Sequence, residues 1–246
     1  GMASLMTAFP LRRRPFLAAL AGLATVSSAV AADSGTQKTR IGIIGAGHVA
    51  TTLAELWVNA GYHVMVSSRS LTEAQSLATS LGPLATAGTA AQAAAYGDIV
   101  VLAVPYKAIP QLGPQLSRTL LDKVVLDPSN PYSWRDGPIA ETAQRDGAGV
   151  TTQRYFPSAH VVRAFNSIDM TTLRSEAHRA SPLLAVPVAG DDAGAVSQVV
   201  SLVRAAGFDP VVTGNLATAK LFQPGSTGFE LERDAAGLKQ ALHLAQ

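Results

Sequence analysis

The chain of 246 residues contains no cysteine, which excludes a disulfide framework, a thiolate metal site and a cysteine nucleophile. Its five histidines are scattered without the spacing of metal ligands, so we expect no bound metal. Charged residues make up only 15% and hydrophobic residues 48%, a composition that argues against disorder. The length is sufficient for a substantial core, in one large domain or two modest ones.

The sequence also has no stripe of Lys and Arg residues beyond its first 32 residues. The chain has 19 Lys and Arg residues against 17 Asp and Glu, but Arg12, Arg13 and Arg14 stand in a 32-residue segment that has no acid. The rest of the chain therefore has 16 basic and 17 acidic residues, a formal charge of −1. Since nothing remains that suits a phosphate backbone, we expect no nucleic-acid partner.

Residues 1–32 have the layout of an export signal. The three arginines precede an apolar run from Phe16 to about Val26, and small residues follow up to Ala32. The run is too short to span a bilayer comfortably, so we expect no stable membrane span. Two arginines followed by Pro-Phe-Leu are similar to the twin-arginine pattern, which predicts a periplasmic or otherwise exported protein. The alternatives are a leader from a misassigned start codon and a cytoplasmic location.

From residue 40 onward, short apolar runs alternate with helical patterns. Strands are predicted at 41–44, 63–66, 84–86, 98–104, 124–126, 161–165, 183–188 and 210–212. Helices are predicted at 49–59, 71–81, 89–95, 170–179 and 193–206. This alternation predicts an α/β fold with a Rossmann-type, doubly wound parallel sheet. We expect a dinucleotide-binding domain over residues 40–165 and a smaller C-terminal α/β part over residues 166–246.

The turn after the first predicted strand fits the dinucleotide-binding pattern G-x-G-x-x-G/A. Its residues are Gly45, Ala46, Gly47, His48, Val49 and Ala50. We expect Gly45 to permit the tight turn and Gly47 to let a pyrophosphate approach the backbone. Amides at the start of the next helix then face the phosphates. We interpret His48 as a residue near phosphate or solvent rather than an acid–base catalyst.

The end of the second predicted strand decides between NAD and NADP. A carboxylate is common there in NAD-binding proteins, but this chain has Ser67, Ser68 and Arg69. An arginine flanked by hydroxyls matches a 2′-phosphate, which a carboxylate would repel. The sequence therefore predicts NADP(H) as the cofactor.

Two classes of dehydrogenase fit the chain poorly. None of its tyrosines has a lysine four positions later, so the Tyr-x-x-x-Lys pair of short-chain dehydrogenases is absent. Beta-hydroxyacid dehydrogenases and imine reductases need a long helical second domain, whereas only about 80 residues follow Phe165, with strand-like runs among them. No acid–base catalytic residue is identified from the sequence.

Seven ordered segments carry a resemblance to a known family. They read IGIIGAGHVA, VSSRS, DIVVLAVPYKAIP, VVLDPSNPY, VVRAFNSI, PVAGDD and AGFDPVVTGNLATAKLFQPG. In this order they resemble the F-420:NADP oxidoreductase family, the NADPH-dependent deazaflavin (coenzyme F-420) reductase-like proteins. The resemblance covers roughly residues 40–225. It implies a small-molecule redox acceptor, with hydride passing between nicotinamide and a flavin or deazaflavin ring.

The same resemblance assigns residues to the two rings. The nicotinamide side would be lined by Ala103, Val104 and Pro105, with Pro128, Ser129 and Asn130 at the edge of the fifth strand. The second ring would face Phe165, Asn166 and Ser167 and be closed in by Leu221 and Phe222. The family usually has arginine and glutamate where this chain has Lys220 and Gln223, which leaves the acceptor open. A nucleotide-binding sensor without turnover, a hydroxyacid-type dehydrogenase and a homodimeric assembly stay open alternatives.

Overall fold

The computed structural model describes residues 37–246, so the predicted export signal in residues 1–32 lies outside the described residues. Eight strands form one sheet in this part of the chain. They are β1 (Gln37–Ile44), β2 (Tyr62–Ser67), β3 (Ala85–Gly88), β4 (Ile99–Leu102), β5 (Val124–Asp127), β6 (His160–Arg163), β7 (Ala185–Gly190) and β8 (Asp209–Gly214). Every predicted strand is confirmed in position.

Helices connect the strands on both faces of the sheet. They are α1 (His48–Asn59), α2 (Leu71–Leu81), α3 (Ala90–Tyr96), α4 (Ile109–Leu116), α5 (Ser133–Asp136), α6 (Pro138–Asp146), α7 (Ala148–Tyr155), α8 (Met170–Glu176), α9 (Ala193–Ala205) and α10 (Ala235–Ala241), with 3-10 turns at Tyr106–Ala108 and Leu216–Phe222. No helix within residues 37–246 combines the length and the apolar character needed to cross a membrane.

The sheet order is β3-β2-β1-β4-β5-β6-β7-β8. Neighbouring strands are parallel except for β6 and β7, whose antiparallel pairing sets Val162 opposite Gly190. The Rossmann-type fold predicted from the sequence is thus confirmed, and the sheet is mostly parallel rather than wholly so. Strands β7 and β8, from the predicted C-terminal part, continue the sheet that the earlier strands begin, and the described residues form one compact unit.

The core lies in two layers, one on each face of the sheet. Because successive side chains of a strand point to opposite faces, Ile41 and Ile43 of β1 pack into one layer and Ile44 into the other. The first layer contains Trp57 of α1, whose indole N–H donates a 2.9 Å hydrogen bond to the carbonyl of Leu202 in α9. This bond fixes the orientation of α1, the helix that starts at the glycine turn.

The reversal at β7 determines where the C-terminal segment lies. The amino ends of β7 and β8 lie at the same edge of the sheet as the carboxyl ends of β1 to β6. The tail returns to this edge, where the amide of Ala185 donates to the carbonyl of Arg233 (2.9 Å) and the amide of Glu230 donates to that of Ser167 (2.8 Å). Residues of the C-terminal part therefore border the edge at which such sheets bind ligands.

Candidate nucleotide-binding and active site

The carboxyl ends of β1 and β4 form the crevice in which doubly wound sheets bind nucleotides, because the strand order reverses between them. Gly45 follows β1 and Ala103 follows β4. Gly45 has a φ of +114°, and a Cβ at this position would lie 1.9 Å from the carbonyl oxygen of Ala103. Only glycine allows the two loops to approach so closely.

The start of α1 fits a pyrophosphate. Gly47 is the N-cap, no side chain among the described residues caps the helix, and its first turn contains no acid. A Cβ at Gly47 would meet no atom within 4 Å, so open space lies beside the uncapped amides. Ala46 and His48 are exposed at this turn, whereas Val49 is half-buried against the core. Free amides, the helix dipole and open space are the three features that phosphate binding requires.

The two serines predicted to hold the 2′-phosphate donate their hydroxyl protons elsewhere. Ser67 is buried, and its hydroxyl donates a 2.7 Å hydrogen bond to the carbonyl of Ile43. The hydroxyl of Ser68 donates to the carboxylate of Glu73 at 2.9 Å and accepts the amide of Ser70 at 3.3 Å. Sequence reasoning missed Glu73, which lies beyond the strand end but returns to it through the first turn of α2.

Arg69 remains as the free cation of this group. Its side chain is exposed and has no hydrogen bond or ion pair within residues 37–246. Next to it, a shallow cavity of about 350 Å³ opens between the glycine turn and α2. Its lining consists of Ala46, Thr51, Ser70, Thr72, Glu73, Ser76 and Leu77. Glu73 belongs to this lining, and Arg69 directly precedes Ser70 of the same lining, so a carboxylate and a guanidinium both lie close to the cavity.

The loop after β4 borders the nicotinamide end of the crevice. Ala103 and Val104 are half-buried and Pro105 is exposed. Tyr106 is fully buried, and its hydroxyl lies 2.8 Å from the carbonyl of Ala148 and 3.1 Å from the hydroxyl of Thr152. Burial raises the pKa of Tyr106, so the phenol stays neutral and joins this loop to α7.

A buried ion pair lies beneath the ends of β5 and β6. The Nη1 of Arg163 is 3.2 Å from the Oδ2 of Asp127, and both side chains are 0% exposed. Arg163 also donates to the carbonyls of Asp127 and Ser129, and Asp127 accepts both the amide and the hydroxyl of Ser129. The pair therefore fixes the loop in which Pro128 is buried and Asn130 half-buried.

Asn130 and Asn166 join the loops after β5 and β6. The Nδ2 of Asn130 donates to the carbonyl of Asn166 at 2.8 Å, and the Nδ2 of Asn166 donates to the carbonyl of Phe222 at 3.0 Å. The Oδ1 of Asn166 is buried and has no hydrogen-bond partner within residues 37–246. A buried acceptor without a donor is costly, so a ligand that reached this amide with an N–H or O–H group would remove that cost.

The aromatic rings assigned to the second-ring pocket lie in the core. Phe165 is 1% exposed and packs edge-to-face on Trp57 and Phe208, with centroids 6.1 Å and 6.2 Å away. Its φ of 63° is unusual for a residue with a side chain and turns the ring inward. Phe222 is also buried, as is Ser167, whereas Leu221 is 37% exposed. The second-ring role of these residues stays a prediction, but stacking on the phenyl rings would require them to leave the core.

The two positions that depart from the family pattern have structural contacts. The Nζ of Lys220 donates to the carbonyl of Arg145 at 3.0 Å. Gln223 is buried, and its Oε1 accepts the amide of Ala148 at 2.9 Å. Both side chains thus attach the 3-10 turn Leu216–Phe222 to α6 and α7. Among residues 37–246 there is no cluster of three His, Asp or Glu that could hold a metal.

Sequence reasoning also missed an aromatic and charged group after β5. The rings of Tyr132 and Trp134 stack with centroids 5.6 Å apart and planes 22° apart. Arg135 forms an ion pair with Asp136, with its Nε 2.9 Å from Oδ1. Its guanidinium carbon also lies 5.3 Å from the centroid of Tyr132. The sequence signal that could have indicated this group is the segment Tyr-Ser-Trp-Arg-Asp, in which two aromatic residues flank a serine and precede an arginine and an aspartate.

Known proteins share both sequence and fold with this chain. Residues 40–131 match the family model described as NADP oxidoreductase, coenzyme F420-dependent. The metalloreductase STEAP3 of Rattus norvegicus is 28% identical over 181 residues, which cover 74% of this chain and 35% of that protein. The chain thus spans about a third of the length of this curated relative.

Two solved structures match over most of their length. A hypothetical protein from Sinorhizobium meliloti is 28% identical with a TM-score of 0.69, covering 80% of this chain and 96% of the other. A protein assigned as an F420-dependent NADP-reductase, from Arthrobacter sp. FB24, is 25% identical with a TM-score of 0.64, covering 74% and 87%. The resemblance predicted from the sequence is therefore confirmed: residues 40–131 are similar to the coenzyme F420-dependent NADP oxidoreductases, and the fold is shared with these solved structures.

Proposed function

We propose that this protein is an enzyme that transfers hydride between the nicotinamide of NADP(H) and a flavin or deazaflavin-type acceptor. The observation that carries the proposal is the crevice at the ends of β1 and β4. Open space over Gly47 lies there beside the uncapped amides of α1. The name of the Arthrobacter relative, an F420-dependent NADP-reductase, supports the same reaction class.

The chain's own contribution is binding and orientation. NADPH, when bound, supplies a hydride from its nicotinamide ring. The amides of α1 would hold the pyrophosphate and Arg69 the 2′-phosphate, while Val104 and Pro105 would border the nicotinamide and exclude water. Holding two planar rings face to face is the main requirement of such a transfer.

The side chains at the nicotinamide end favour a ring acceptor over a small carbonyl. Reduction of a carbonyl requires a proton donor at its oxygen. Val104, Pro105 and Asn130 carry no group that titrates near neutral pH, and the buried Tyr106 has a raised pKa and donates inside the protein. The residues assigned to this end of the crevice therefore offer no proton donor to a carbonyl oxygen. Their lack of an acid supports hydride transfer to a flavin-type ring.

Stopped-flow mixing of the NADPH-loaded protein with FMN or with coenzyme F-420 tests the proposal. We expect nicotinamide absorbance to fall in step with reduction of the added ring. Small hydroxyacids and their ketones are tested in parallel without any flavin. NADPH binding without turnover of either ring would favour a sensor, and turnover of the ketones alone would favour a hydroxyacid-type dehydrogenase.

A further inference from the structure

An exposed aromatic pair lies at the ligand-binding edge of the sheet. Trp134 is 80% exposed, and Tyr132 stacks against it with a centroid distance of 5.6 Å. Within residues 39–246, Trp134 is the one exposed Phe, Tyr or Trp. We refer to Tyr132 and Trp134 as the aromatic platform. Tyr132 stacks on the indole, and because 80% of Trp134 is exposed, the ring still offers open surface to a planar ligand.

Hydrogen bonds hold the platform in one orientation. The Oδ2 of Asp136 accepts the amide of Tyr132 at 2.7 Å, and its Oδ1 accepts the Nε of Arg135 at 2.9 Å. The Asp136 side chain is 0% exposed, so these bonds are shielded from water. Arg135 in turn lies against both rings, 5.3 Å from the centroid of Tyr132 and 5.8 Å from that of Trp134. These contacts order the backbone beside both rings and the Arg135 side chain before any ligand arrives, which lowers the entropy cost of binding.

The platform is joined to the loops that border the nicotinamide end. The Oδ1 of Asp136 accepts the amide of Lys107 at 3.1 Å, in the loop after β4. The Nη2 of Arg135 donates to the carbonyl of Asn130 at 2.9 Å, in the loop after β5. Asn130 continues through its side chain to Asn166. The platform is thus part of the same edge as the predicted second-ring pocket.

We propose that the aromatic platform binds the acceptor's ring system, a flavin or deazaflavin, by stacking on the exposed ring of Trp134. This inference rests on the proposed function, because it supplies the second planar ring with a surface. The rings of Phe165 and Phe222 are buried and offer no open face. Stacking on an exposed aromatic side chain tolerates different heterocycles, which fits a pocket that accepts either ring type.

Fluorescence titration with FMN and with coenzyme F-420 tests the platform on the full-length, NADP-loaded protein. The chain has two tryptophans, and Trp57 is 0% exposed, so quenching by a stacked ring reports on Trp134. We expect Trp134→Ala to weaken ring binding about tenfold, measured by calorimetry, and Trp134→Phe to retain most of it. Leu121→Ala, which shortens another exposed apolar side chain (62%), is the matched control and should change nothing.

The outcomes separate this inference from the proposed function. If Trp134→Ala binds both rings as tightly as the wild type, the platform is not the site, whatever the turnover. If the wild type binds a ring and Trp134→Ala does not, the platform is the site even when NADPH is never oxidised. NADPH affinity should be equal in all the variants, and its loss in Trp134→Ala would show a general structural defect and count against a stacking role. Circular dichroism of Trp134→Phe and Trp134→Ala checks that both are folded.

Discussion

The hydroxyl of Ser68 donates a 2.9 Å hydrogen bond to the carboxylate of Glu73, at the position where a 2′-phosphate would be recognised. A serine has one proton to donate, so Ser68 cannot serve the phosphate while Glu73 holds it. The carboxylate also repels a phosphate dianion. A preference for NADP would therefore depend on a balance between Glu73 and the exposed guanidinium of Arg69.

Removing the charge of Glu73 should shift the nucleotide preference. We expect Glu73→Gln to tighten NADPH binding about threefold to tenfold, because the repulsion is lost and Ser68 is released more easily. NADH affinity should stay the same or fall. Calorimetric titration of both nucleotides measures the ratio. Glu141→Gln removes an equal charge in the first turn of α6 and is the control, and an equal change for NADPH and NADH in Glu73→Gln would contradict the assignment.

Removing the guanidinium of Arg69 should act in the opposite direction. We expect Arg69→Ala to weaken NADPH binding about tenfold to a hundredfold, because this is the affinity that a charge-assisted hydrogen bond typically contributes. The affinity for NADH should change little. Arg118 is likewise exposed and has no ion pair within residues 37–246, so Arg118→Ala is a matched control. Equal losses for both nucleotides would show that Arg69 does not read the phosphate.

The two glycines of the turn should respond differently to alanine. At Gly47, with φ −74°, a methyl group meets no protein atom within 4 Å, so Gly47→Ala should fold but fill the space beside the α1 amides and abolish NADPH binding. Gly45→Ala should fail to fold because its Cβ would overlap the carbonyl of Ala103. Thermal unfolding with and without NADPH distinguishes the two. Gly194→Ala, near the start of α9, is the control, and stabilisation of Gly47→Ala by NADPH would refute the prediction.

The buried pair of Asp127 and Arg163 should matter for stability. Arg163→Met leaves the Asp127 carboxylate buried without its counter-charge, and we expect the free energy of unfolding to fall by about 3–5 kcal/mol. Urea denaturation measures this loss. The double variant Asp127→Asn, Arg163→Met should lose less than the sum of the two single changes. Arg145→Met, in the exposed pair with Asp146, is the control and should cost little.

Acid should disorder the aromatic platform. Burial works to raise the pKa of Asp136, but hydrogen bonds from Arg135 and from the amides of Tyr132 and Lys107 outweigh it and hold the pKa below its ordinary value of 3.8. A lowered pKa means that the carboxylate stabilises the fold above that value and stops doing so as the pH falls through the folded-state pKa. The fluorescence of Trp134, with Trp134→Phe as background, should change in this window. Asp136→Asn should lack the transition, and a transition that persists in it would assign the change to another group.

Strands β4 and β7 were predictable because every residue in them is buried. Their sequences are apolar runs, such as residues 99–102. Helices α5 to α7 were missed because prolines and glycines divide residues 133–155 into short pieces, and tertiary contacts such as that of Tyr106 with Ala148 stabilise them. The antiparallel direction of β7 was missed because the hydrophobic pattern of a strand indicates which residues are buried and not in which direction the strand runs.

The parts of the site that depend on backbone conformation were predictable from the sequence. The parts that depend on hydrogen bonds between side chains and their neighbours were less predictable. Gly45 and Gly47 have the geometry that the glycine pattern requires. The free hydroxyls expected at Ser67 and Ser68 depend on neighbours that sequence spacing does not reveal. Ile43 lies in the adjacent strand and Glu73 beyond the next turn. The exposed face of Trp134 likewise depends on how Asp136 folds the segment back.

The hydrogen bond between Trp57 and Leu202 spans 145 residues and limits how this architecture can diversify. A nucleotide half grafted onto a foreign partner would leave the indole N–H without an acceptor, at a cost of about 1–3 kcal/mol before any lost packing is counted. Helix α1, which follows the glycine turn, therefore cannot be separated from α9 without a loss of stability. Exchange of whole halves would therefore destabilise the fold, whereas substitutions in the edge loops leave this hydrogen bond intact.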